Sequence, residues 1–181
     1  HNITSIAKYE ITTLLRSWFF RIFAILAMSF LFFFNMGMLI MDNAGAGSWD
    51  MKAISSVIPY VNLLLLNTVQ AIIAIFLASD FLKRDKKLDT TDVIYIRSMS
   101  NGEYVAGKTI GNLVVFIILN LIILSEALIF NMIAENVTVN WMAYLEYFLI
   151  ISLPTLLFIL GLSFFVMSIL RNQAITFILL L

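Results

Sequence analysis

IFAILAMSFLFFFNMGMLIM, residues 22–41, is a run of 20 residues with no formal charge. A helix rises about 1.5 Å per residue, so this run covers a hydrocarbon core about 30 Å thick. It reads as a membrane-spanning helix, and the rest of the chain repeats the pattern. Residues 57–79 form a second uncharged run, with Pro59 in its first turn, where the missing N–H has no helical partner to lose. Residues 109–133 form a third, carrying one acid, Glu126. Residues 144–170 form a fourth, with Glu146 near its start and Pro154 inside, which predicts a kink. A fifth run starts at Ala174 and reaches Leu181. It would extend only roughly 12 Å at 1.5 Å per residue, so residues 171–181 read as the start of a fifth span that continues past Leu181. The expected fold is all-α, a polytopic membrane helix bundle of four spans plus the beginning of another.

Composition agrees. The chain of 181 residues is 62% hydrophobic and 12% charged, with a mean hydropathy of +1.01. Soluble domains are about 45–50% apolar and about 25% charged, so this chain lacks the polar material for a water-facing surface. Its hydrophobicity also excludes intrinsic disorder. Eleven basic residues balance eleven acidic ones, which argues against a nucleic-acid surface. There is no cysteine, and His1 is the one histidine, so neither a disulfide framework nor a thiolate or histidine-pair metal site can be built.

The basic residues fix an orientation. Lys8, Arg16 and Arg21 precede the first span; Lys83, Arg84, Lys86, Lys87, Arg97 and Lys108 lie in residues 80–108; Arg171 follows the fourth span. The loop 42–56 holds Lys52 alone, and residues 134–143 hold no cation. Ten of the eleven basic residues therefore fall on one side, which places the N-terminus and residues 80–108 in the cytoplasm.

The segment 1–21 has an apolar helical face of Ile3, Ala7, Ile11, Leu14, Leu15, Trp18 and Ile22, with Thr12, Thr13 and Arg16 away from it. An amphipathic helix with a basic fringe and a tryptophan reads as interfacial, an elbow lying on the membrane before the first span. No apolar core followed by a small-residue cleavage site is present in it, so it is not expected to be a signal peptide.

Residues 80–108, DFLKRDKKLDTTDVIYIRSMSNGEYVAGK, are the longest polar stretch and contain 11 charged residues, six basic and five acidic. A bare connector would need far fewer. Thr90 or Thr91 can cap a short helix with Asp92 in its first turn and Arg97 at its end, both favoured by the helix dipole. Val93, Ile94, Tyr95 and Ile96 would then be apolar or aromatic residues on a solvent-facing loop, the signature of a docking surface. SMSNG, residues 98–102, reads as a turn. GEYVAGKT, residues 102–109, has the G-x-x-x-x-G-K-[ST] spacing of a phosphate-binding loop, but no buried strand is expected before it, so it is not read as one.

In this loop the chain resembles the transmembrane permeases of type-2 ATP-binding-cassette exporters. Arg84 and Asp85 stand near the loop's start, Thr90, Asp92, Val93 and Ile94 match its centre, and Ser100, Glu103, Tyr104, Gly107 and Lys108 match an S…E-Y-x-x-G-K end. Asp89, Ser98 and Asn101 depart from the family's usual Gly, Pro and Arg. The resemblance covers about residues 84–108 as a motif and the whole chain as a topology. It implies six spans in the full protein and a coupling helix formed by Thr90, Asp92, Val93, Ile94, Tyr95 and Arg97. It also implies a separate cytoplasmic ATPase subunit that binds ATP and Mg, a second permease copy or paralogue completing a homo- or heterodimer, and a bacterial inner-membrane location. This chain itself would be no enzyme and would hold no cofactor.

Four polar residues inside the spans are candidates for a pathway or for interhelical bonds: Asn62, Asn67, Gln70 and Glu126. Asn62 and Gln70 are eight apart and share a helix face. An intramembrane acid such as Glu126 is a functional candidate, or an interfacial glutamate near the outer boundary. Besides the exporter, two other classes fit in outline. One is a non-transporting membrane anchoring or assembly protein whose loop recruits a partner. The other is a fragment of a secondary transporter, which would call for paired broken helices and several midplane charges. An intramembrane enzyme is weaker still, since the spans hold no His/Asp/Glu cluster or Ser–Lys pair.

Overall fold

The computed structural model describes residues 2–43, 57–87, 100–134, 138–170 and 172–180. Among these residues 95% are helical and none is in a strand, which makes the chain an all-α bundle. The order is α1 (Asn2–Arg16), α2 (Trp18–Asn43), α3 (Val57–Lys87), α4 (Asn101–Ile133), α5 (Trp141–Leu170) and α6 (Gln173–Leu180). Among the described residues four helices are long and apolar enough to cross a membrane: Trp18–Met41, Val57–Leu77, Gly102–Ile133 and Trp141–Leu170. The protein is an integral membrane protein in composition and in architecture.

The helix ends shift the boundaries read from hydropathy. α1 stops at Arg16, whose cation favours a helix C-terminus. The Arg21 N–H bonds to the Ser17 carbonyl and closes the first turn of α2. Trp18 to Arg21 therefore open the first span instead of ending the amphipathic segment. α3 runs on through Lys87 and α4 already starts at Asn101. Residues 80–87 and 101–108, expected in a loop, are helical continuations of the spans. The reason is local: residues 78–87 contain no Gly or Pro, and leaving the membrane does not by itself end a helix. The coupling-helix residues Thr90, Asp92, Val93, Ile94, Tyr95 and Arg97 lie outside the described residues.

Ahead of Pro154, where a kink is expected, the helix carries a π turn. α5 begins as an α-helix over Trp141–Tyr147, widens to a π turn over Phe148–Ser152, and resumes over Leu153–Leu170. The Leu153 N–H reaches back to the Phe148 carbonyl. Proline donates no bond and its ring crowds the carbonyl one turn back, so a widened turn relieves the clash. Asn140 caps this helix, its Oδ1 accepting from the Ala143 N–H at 3.3 Å.

The chain divides into two compact units. The first comprises His1–Arg16, Val69–Phe116 and Thr155–Leu181, the second Ser17–Thr68 and Ile117–Pro154. In the second unit Ile58, Leu63, Leu124, Ala127 and Tyr144 form an apolar core. There Phe32 of α2 meets Phe130 of α4 edge-on at 5.3 Å, and Tyr60 of α3 meets Tyr147 of α5 at 5.6 Å. In the first unit Phe76 of α3 packs edge-on against Phe177 of α6 at 6.0 Å.

Candidate functional site: the clamp between α1 and the foot of α4

The S…E-Y-x-x-G-K stretch is built as a helix start. The Ser100 Oγ accepts from the Glu103 N–H at 3.2 Å, and the Glu103 carboxylate accepts from the Ser100 N–H at 3.0 Å. This reciprocal capping box satisfies two donors that a helix start otherwise leaves orphaned. One turn on, Lys108 Nζ lies 5.4 Å from the centre of the Tyr104 ring, a cation–π contact between residues four apart.

The same ammonium is paired across helices. Lys108 Nζ lies 3.3 Å from Glu10 Oε2 of α1, with the two side chains only 3% and 2% exposed. Two glycines make that approach possible. A Cβ at Gly107 would lie 2.8 Å from Ile6 Cβ and 3.0 Å from the Ile3 carbonyl oxygen. A Cβ at Gly111 would lie 2.6 Å from Glu10 Cβ and 3.0 Å from the Ala7 carbonyl oxygen. The two glycines, four apart, clear one face of α4, and the backbone of α1 lies against it in the manner of small-xxx-small helix packing. Ala7, Glu10 and Leu14 of α1 are buried as a result.

The apolar face expected to lie on the membrane is thus divided. Ala7 and Leu14 are buried in protein and Ile3 and Ile11 are half-buried, whereas Leu15, Trp18 and Ile22 are exposed. The glycine face offers α1 closer contact than lipid does, and Glu10 needs Lys108. Sequence reasoning missed Glu10 and Gly111. A signal existed for both: Glu10 is the one acid in the first 21 residues, and Gly111 repeats Gly107 one turn later on either side of Lys108.

The intramembrane polar residues sort into separate roles. Asn35 and Asn62 exchange two amide hydrogen bonds of 2.8 Å each between α2 and α3, and Asn62 Nδ2 also donates to the Ile58 carbonyl. Asn67 Nδ2 donates to the Leu63 carbonyl at 2.7 Å and to Ser152 Oγ at 2.8 Å, so α3 grips α5 at its π turn. Asn131 Nδ2 donates to the Tyr144 hydroxyl at 3.0 Å. Asn62 and Asn67 are interhelical bonds. Gln70 is fully buried and belongs to the first unit. Glu126 is half-buried in the second, with Oε1 shielded and without a hydrogen-bond partner. Asn35 and Asn62 also line a small apolar pocket with Phe34, Met38, Val61 and Phe130. Among the described residues no group of three or more His, Cys, Asp or Glu could hold a metal ion.

Comparisons with family models, with curated proteins and with solved structures return no match.

Proposed function

We propose that this chain is the transmembrane permease subunit of an ATP-driven exporter. In this reading it sits in a bacterial inner membrane with its N-terminus in the cytoplasm. A separate cytoplasmic subunit binds ATP and Mg and hydrolyses the nucleotide. A second permease copy or paralogue completes the pathway. Residues 88–99 dock on the ATPase through Thr90, Asp92, Val93, Ile94, Tyr95 and Arg97, and ATP-driven closure of the ATPase pushes on them.

The observation that carries the reading is the clamp. Ser100, Glu103, Tyr104, Gly107 and Lys108, the stretch that resembles the exporter motif, form a capped helical stalk continuous with the third span and joined to α1. A capped helix is stiff along its axis. A push delivered at residue 100 would therefore reach the third span and α1 together and would not dissipate in a flexible connector. A membrane anchor has no need of such a linkage.

The test is copurification followed by ATP hydrolysis in proteoliposomes. The intact chain should bring down a nucleotide-hydrolysing subunit. Ile94→Asp should detach it, and Asp92→Ala should leave it bound with hydrolysis unlinked from transport. A partner without ATPase activity would favour the anchoring alternative, and unchanged association and activity in both variants would remove the exporter reading.

A further inference from the structure

α1 carries three charged residues, Lys8, Glu10 and Arg16. The single acid is turned inward, buried and paired with Lys108. The two cations are exposed, and among the described residues neither has an acidic partner. Eight residues apart, they fall roughly 80° from one another at 3.6 residues per turn. Thr12 lies exposed between them, with its hydroxyl tied back to the Lys8 carbonyl at 2.9 Å. Tyr9 and Leu15 flank them, 55% and 42% exposed. The outer side of α1 is therefore purely cationic and edged by an aromatic and an aliphatic side chain, although the helix as a whole has a net charge of only +1.

We propose that this side of α1 binds anionic phospholipid headgroups, with Lys8 and Arg16 on headgroup phosphates and Tyr9 and Leu15 in the adjoining acyl boundary. Charge complementarity argues for the occupant. An anionic leaflet offers the counter-charge that both residues lack within the described protein. A cation beside such a surface gains about 1 kcal/mol, equivalent to about fivefold in local lipid preference. Burial of Glu10 removes the one group on α1 that would repel the lipid. The inference does not depend on the exporter reading.

Because the chain has no cysteine, a bimane fluorophore placed at Thr12→Cys reports this face alone. The full chain is reconstituted in nanodiscs containing either doxyl-labelled phosphatidylglycerol or doxyl-labelled phosphatidylcholine. The glycerol lipid should quench the label preferentially. Lys8→Gln and Arg16→Gln should each lower that preference about fivefold, and the double variant should abolish it. Lys8→Arg with Arg16→Lys should retain it, which shows that charge and not fold is responsible. Replacing chloride by inorganic phosphate at constant ionic strength should change nothing. Equal quenching by the two lipids, no quenching by either, a preference that survives the double glutamine variant, or displacement by phosphate would each overturn the proposal.

Discussion

Glu10 and Lys108 are two charges taken out of water and paired with each other at 3.3 Å. Such a pair adds little net stability, because desolvation offsets the attraction, but breaking it strands a buried charge at a cost of about 3–5 kcal/mol. Lys108→Met should destabilise the protein by that amount, and Glu10→Gln combined with Lys108→Met should recover most of the loss. A double-mutant cycle on unfolding in detergent micelles measures the coupling. Additive single effects would mean that the pair is not coupled. The glycines beside it are tested by shape. Gly111→Val sets a side chain against the Ala7 carbonyl, a backbone atom that cannot rotate away. Hydrogen exchange in α1 should then rise as the helix lifts. Gly102→Ala is the control, since its Cβ would meet only Ser100 Oγ at 4.0 Å, and exchange in α1 should stay as it was.

Helices join through the asparagines, and here the sequence was only partly legible. Hydropathy located the four spans because each is predominantly apolar, a signal that averages over many residues and tolerates single polar ones. A hydrogen bond between Asn67 and Ser152 is a single contact between residues 85 positions apart, set by the rotation of two helices that no periodicity encodes. The residue type was readable as interhelical bonding, but its partner was not. Pro154 predicted a kink, and the π turn over Phe148–Ser152 was not legible from it, because that depends on which side of the helix has room. Ends were less legible than middles: the capping box at Ser100 was in view as residue types, yet SMSNG read only as a turn ahead of the third span. Interhelical bonds in membranes are worth about 0.6 kcal/mol on average and up to about 1.7. Asn62→Leu removes two of them and orphans Asn35, so a loss of about 1–2 kcal/mol is expected. Asn35→Leu with Asn62→Leu should be milder than Asn62→Leu alone. Reversible unfolding in mixed micelles distinguishes these outcomes, and identical losses would mean that the reciprocal pair contributes nothing beyond packing.

Across the whole molecule, the distribution of cations in the sequence predicts an orientation, with ten basic residues expected on one side of the spans and Lys52 alone on the other. Flipping the bundle would carry those ten across the bilayer, against the bias that sets membrane topology. Absence of native cysteine makes each position separately readable. An impermeant maleimide applied to intact cells should label Ser55→Cys and Thr138→Cys, in the two connections expected outside. Thr4→Cys and Ser98→Cys should react only after permeabilisation. The pattern has to alternate, because each apolar helix that crosses moves the chain to the opposite face. Labelling of Ser55→Cys and Ser98→Cys from the same side would mean that α3 does not cross. Labelling of Ser98→Cys from outside would put residues 88–99 beyond the reach of any cytoplasmic ATPase. The clamp between α1 and α4 would then still hold the helices together, but it could not transmit the work of nucleotide hydrolysis.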